Sequence, residues 1–168
     1  NMIVAYRDWP YGNRSYRAPR RGAAIAYVAE AGPQGSVYGM PGNGTNYFWQ
    51  YDIATNAWSY PHDSVYGQNN GIPYWKYIPL DIPGGPFGIR CKYGSDMAYL
   101  NGRVYVLKGT RTVEAYGFSH IANAWNETLD MNSFYGMGFR RAKSGASLIA
   151  NGDGLYALKG GNTQQFWR

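Results

Sequence analysis

The sequence predicts an all-β protein assembled from copies of one strand-hairpin unit, and three observations carry that reading. Its 168 residues include 17 Tyr, 6 Trp, 23 Gly and 9 Pro, a mixture that favours short strands joined by tight turns and opposes long helices. Three stretches of the chain repeat one order of small, apolar and aromatic residues. The segments between the apolar runs, Pro41-Gly42-Asn43-Gly44, Asn101-Gly102 and Asn151-Gly152-Asp153-Gly154, supply the positive φ that hairpin turns require.

The first unit runs through residues 22–27, 37–40 and 46–52 and ends near Trp58. The second runs through 94–99, 104–109 and 113–116 and ends near Trp125. The third runs through 145–150, 155–161 and 165–167. Tyr38 to Trp49, Tyr105 to Tyr116 and Tyr156 to Trp167 are each 11 residues apart, and Tyr38 to Trp58 and Tyr105 to Trp125 are each 20 apart. Each unit therefore reads as four short strands. The first is small and apolar, fit for a crowded position beside its counterparts. The second, Val104 to Leu107 or Leu155 to Leu158, is nearly continuous apolar, fit for a strand covered on both faces. The third is aromatic, and the outer Trp is placed to pack onto a neighbouring unit.

Residues 145–168, Gly-Ala-Ser-Leu-Ile-Ala-Asn-Gly-Asp-Gly-Leu-Tyr-Ala-Leu-Lys-Gly-Gly-Asn-Thr-Gln-Gln-Phe-Trp-Arg, resemble a Kelch-like β-propeller blade of bacterial and archaeal extracellular proteins. In such blades the aromatic strand continues as Tyr-Asp, a short turn and Trp. The first unit keeps this as Tyr51-Asp52 and Trp58, whereas the second keeps the turn and Trp125 but lacks the Tyr-Asp pair. Among the three units the double glycine appears only at Gly160-Gly161. The resemblance implies four-stranded antiparallel blades in a single repeat domain, 1–168. Blade one covers about 22–60, blade two about 94–130 and blade three 145–168. Residues 61–93, rich in Pro and Gly, read as a long insertion or a degenerate blade. An N-terminal strand, 2–9, whose Trp9 falls near the missing outer Trp of blade three, is expected to complete that blade. Propellers generally need four to eight blades. Closure by two chains, closure alone with a degenerate blade, an edge strand donated to a polymer, and a longer polypeptide all remain open.

Chemistry is sparse. The two histidines, His62 and His120, are far apart, and no Cys/His spacing suits a metal. Kelch-type oxidases bind copper through several Tyr and His, which two dispersed histidines do not match. The carboxylates Asp63, Asp81 and Asp96 form no pattern that points to a glycosidase pair. Asn151-Gly152-Asp153-Gly154 is expected to be a turn rather than a calcium loop. Cys91 stands between Arg90 and Lys92, whose charge would acidify a thiol, but no dyad partner is close in sequence. No enzyme activity, cofactor or metal is therefore expected.

The formal charge is +6, with basic residues gathered at Arg7–Arg21 and at Arg140, Arg141 and Lys143. A solvated face or a contact with an acidic neighbour is favoured over nucleic acid. No run of eighteen apolar residues reads as a membrane-spanning helix. Sequons stand at Asn13, Asn43 and Asn126. The low charge and abundant Tyr, Asn and Gly suit an extracellular or cell-surface protein. The expected function is non-catalytic: self-assembly as a dimer or polymer, or contact with other surface proteins. The alternative is carbohydrate binding by Tyr60, Tyr66, Tyr74, Trp75 and Tyr77, since aromatic rings stack on sugars and dominate protein hot spots.

Overall fold

The computed structural model describes residues 18–69, 72–84, 88–112, 114–130 and 142–168. Every regular element among them is a β-strand, and every strand pair is antiparallel. The first sheet has β1 (Ala24–Val28), β2 (Ser36–Met40), β3 (Trp49–Asp52) and β4 (Ala57–Ser59) in chain order. A two-stranded hairpin of β5 (His62–Asn69) and β6 (Ile72–Pro79) follows. The second sheet is β7 (Asp96–Leu100), β8 (Arg103–Leu107), β9 (Glu114–Ser119) and β10 (Ala124–Asp130), again in order. The third has β11 (Ser147–Asn151), β12 (Gly154–Leu158) and β13 (Phe166–Trp167). The three repeat units thus correspond to three meandering sheets. The stretch between the first two contains the β5–β6 hairpin. The expected N-terminal strand, with Trp9, and the Asn13 sequon lie outside the described residues.

The innermost strands stand side by side, with β7 between β1 and β11. Alternation then gives each sheet two faces. Ala26, Val28, Tyr38 and Met40 of the first sheet bury against Met97, Val104, Val106, Tyr116 and Phe118 of the second. Phe48, just before β3, is the plug of this joint. It is 1% exposed, stacks on Tyr38 at 5.4 Å, and its ring centre lies 4.9 Å from those of both Phe118 and Trp125. Removing such a ring costs about 3–5 kcal/mol. Trp125 also donates its indole N–H to the Leu80 carbonyl, 3.0 Å away.

Backbone geometry repeats as closely as the side chains. After its second strand each unit holds three successive residues at positive φ: Gly42-Asn43-Gly44, Gly109-Thr110-Arg111 and Gly160-Gly161-Asn162. The next residue, Thr45, Thr112 or Thr163, closes the turn twice. Its N–H and its hydroxyl both donate to the carbonyl of the first glycine. The turn also bridges to the residue that leads into the following unit. Gly44 N–H donates to Cys91 O and Cys91 N–H to Thr45 O; Arg111 N–H donates to Ala142 O and Ala142 N–H to Thr112 O. Gly22 and Gly94 lie so close to the next unit that an added Cβ would overlap the carbonyl oxygens of Lys92 and Lys143, respectively.

Candidate functional site

The two outward faces of the row of sheets follow from these joints. The internal joint has two aromatic halves. One is the Tyr38–Phe48 stack; the other is the Phe118–Trp125 pair, whose ring centres are 5.3 Å apart. The repeat spacing makes Tyr156–Phe166 the counterpart of the first half and Tyr51–Trp58 the counterpart of the second. Tyr156 and Phe166 are stacked at 5.8 Å, and Tyr51 and Trp58 lie 5.0 Å apart. Phe166 is 61% exposed where Phe48 is buried. Beside it Ile149 and Leu158 are exposed on the third sheet. Around Tyr51 and Trp58 the first sheet exposes Ile25, at 72%, and Tyr27. Both ends of the row therefore present apolar sheet faces, which monomers rarely leave as contiguous patches.

Other joint features are also unmatched at the ends. Gly145, the counterpart of Gly22 and Gly94, meets nothing nearer than Gly160 Cα at 4.0 Å. The counterpart of Cys91 and Ala142 at the start of the first unit is Pro19, which has no N–H to give.

A buried lysine recurs in two units with opposite surroundings. Lys108 is fully buried, and its ammonium donates to the Pro83 and Gly84 carbonyls and pairs with Glu114 at 3.2 Å. Tyr116 donates its hydroxyl to the same carboxylate. In the third unit the corresponding residues are Lys159, Gln165 and Trp167. Lys159 is 1% exposed, yet among the described residues its Nζ, the Gln165 Oε1 and the Trp167 Nε1 have no hydrogen-bond partner. The Lys159 ammonium lies 5.8 Å over the Trp167 ring, and burial holds its pKa below the ordinary lysine value. Neither lysine stands out by composition or motif; the recurring Leu-Lys-Gly at 107–109 and 158–160 is the one signal in the sequence that marks the position.

The residues expected to carry function are dispersed. Tyr60 is half-buried, with its ring 5.5 Å from His62. On the β5–β6 hairpin Tyr66 stands opposite Trp75, Tyr74 opposite Gly67 and Tyr77 opposite Ser64. Trp49 lies 6.2 Å from Trp58, and Tyr105 is buried in β8. Asn43 Nδ2 donates to the Ala18 carbonyl, whereas Asn126 is exposed. His120 Nδ1 lies 3.1 Å from the Gly102 carbonyl. Cys91 is fully buried, and burial pushes its thiol up to about 12, so Arg90 and Lys92 do not make it a nucleophile. Asp96 ties the second unit to the third: its Oδ2 accepts from Ser147 Oγ and from Leu148 N–H. Asp153 pairs at the surface with Arg168. Among the described residues no three His, Cys, Asp or Glu side chains gather in a way that could hold a metal ion.

One cleft lies between the second and third units, with a volume of about 430 Å³. It is lined by Lys92, Tyr93, Thr110, Arg111, Lys143 and Ser144. Arg21 reaches Tyr93 from the first unit, its Nη1 donating to the phenol oxygen at 2.6 Å. That hydrogen bond, with the charges of Arg21 and Lys92, holds the Tyr93 pKa below the usual tyrosine value. Comparison with protein-family models and with curated proteins finds no match to this chain.

Proposed function

We propose that this chain is a non-catalytic module of the Kelch-like propeller type, working at the cell surface or outside the cell by joining head to tail with a second copy of itself. The observation that carries the reading is the pair of unmatched aromatic halves. Tyr156–Phe166 at one end and Tyr51–Trp58 at the other repeat the two sides of the buried joint around Phe48. A face that meets a different face on the next molecule is a heterologous contact, which grows into a ring or an open chain according to its rotation. Apolar burial drives the contact, at roughly 25 cal/mol per Å². The open Gly145 leaves room for a carbonyl of the incoming chain, as Gly94 does for Lys143.

Sedimentation velocity over a range of concentrations tests this with two surface variants. Phe166→Asp charges the trailing face and Ile25→Asp the leading face. Wild type is expected to give masses above the monomer. Each variant alone is expected to stay monomeric, because a head-to-tail pair needs both faces only once and self-mixing of either variant always meets a charged one. Mixed together, the two should give a dimer and nothing larger, through the single intact pair of faces. A wild type that remains monomeric at every concentration, or variants that assemble as wild type does, would overturn the proposal.

A further inference from the structure

We propose that the cleft between the second and third units binds a small oxyanion: a sulfate, phosphate or carboxylate group. Three cationic residues, Lys92, Arg111 and Lys143, line it, together with the hydroxyl-bearing Tyr93, Thr110 and Ser144, and among the described residues no carboxylate lines it. Among the described residues none of these three cations, nor Arg21, has a carboxylate within ion-pair distance. Like charges held around a concave wall repel one another, and an anion placed among them relieves that repulsion while taking charge-assisted hydrogen bonds. The chain supplies a guanidinium, suited to two parallel hydrogen bonds, and two compact ammonium groups.

Backbone geometry supports the same place independently. Seven described non-glycine residues have positive φ, and five of them are Asn. The other two are Thr110 and Arg111, with φ of 51° and 66°, and both line the cleft. The matching positions are Asn43 and Gly44 in the first unit and Gly161 and Asn162 in the third, residue types that tolerate this conformation. Only at the cleft does the repeated turn carry a β-branched residue and a long cation there. Folding stability alone would favour Asn or Gly at both positions, so the costlier pair calls for a role in contact with something.

The volume of about 430 Å³ admits a sugar-sized molecule, so the anionic group can arrive free or on a monosaccharide. Titration calorimetry of the full chain with sodium sulfate, sodium phosphate and sodium glucuronate, each against sodium chloride at equal ionic strength, separates these sources. Saturable binding of at least one of the three is expected, and none for chloride. The decisive variant is Arg111→Gly, which removes the charge while suiting the positive φ, as Gly44 does in the first unit. It is expected to fold at least as well as wild type by thermal melting and to bind the anion about tenfold more weakly or worse. Lys92→Met should weaken binding as well. Absence of saturable binding for all three anions overturns the proposal. So does unchanged affinity in Arg111→Gly and Lys92→Met. Because the cleft lies at an internal joint, this result stands apart from whether the chain associates with itself.

Discussion

Replacing Lys159 by Met should stabilise the protein, while the same change at Lys108 should destabilise it. The two residues occupy one position of the repeat. Lys108 has two carbonyls and a carboxylate around its ammonium, and removing it strands the Glu114 charge and the Pro83 and Gly84 oxygens. Losing one member of a buried ion pair costs about 3–5 kcal/mol. Lys159 has been taken out of water without any such return. An unsatisfied buried polar group costs about 1–3 kcal/mol, more when charged, and Met keeps the length and the apolar packing. Lys159→Met is therefore expected to gain about 1–3 kcal/mol, the penalty it lifts. Urea unfolding followed by tryptophan fluorescence at neutral pH, at low protein concentration, reads both values as shifts in midpoint at constant slope. The folded pKa of Lys159 is depressed, so its penalty is full at low pH and is relieved as pH rises toward the ordinary lysine value. Wild type should therefore gain on Lys159→Met with rising pH. A lower midpoint for Lys159→Met, or an unchanged one for Lys108→Met, would refute the reasoning.

Two further outcomes follow from the joints. Cys91 is raised from 9.0 to about 12 by burial, so the stability it contributes is complete below the lower value and is lost as pH climbs toward the upper. Relative to a Cys91→Ala variant, wild type should lose about 3 kcal/mol by about pH 11, measured by urea unfolding at several pH values; a pH-independent gap would show that the thiol is accessible to water. Gly94→Ala should be severely destabilising in thermal melts, because its Cβ would overlap the Lys143 carbonyl, whereas Gly145→Ala, with open space around it, should cost only the conformational strain of about 1–2 kcal/mol. Equal losses at the two glycines would contradict the described joint.

Much of the architecture was legible in the sequence because the repeat is written in large residues at fixed distances. Tyr38, Tyr105 and Tyr156 mark the second strand of each sheet, and Trp58 and Trp125 mark the fourth. Asn101-Gly102 announces its hairpin, and both residues adopt positive φ. The sites were less legible. Lys92, Arg111 and Lys143 are separated by long intervals and meet only because three turns stack through cross-unit bridges. Thr110 and Arg111 carry no local sign of positive φ; their N–H groups donate to the carbonyls of Tyr93 and Ala142, which lie far off along the chain. The difference between Lys108 and Lys159 depends on Pro83 and Gly84, which fold back from another part of the chain. A sequence window does not contain such partners.

Pro19 gives the proposed chain-to-chain contact a weakness that the internal joints lack. Each internal joint exchanges two backbone hydrogen bonds, but a third copy of that exchange, from Thr163 to Pro19, can form only the one that uses the proline carbonyl. Strain applied along a string of molecules would thus open it at the seams between polypeptides before any polypeptide came apart. Association would be reversible while each subunit stayed intact, so length could be reset without unfolding.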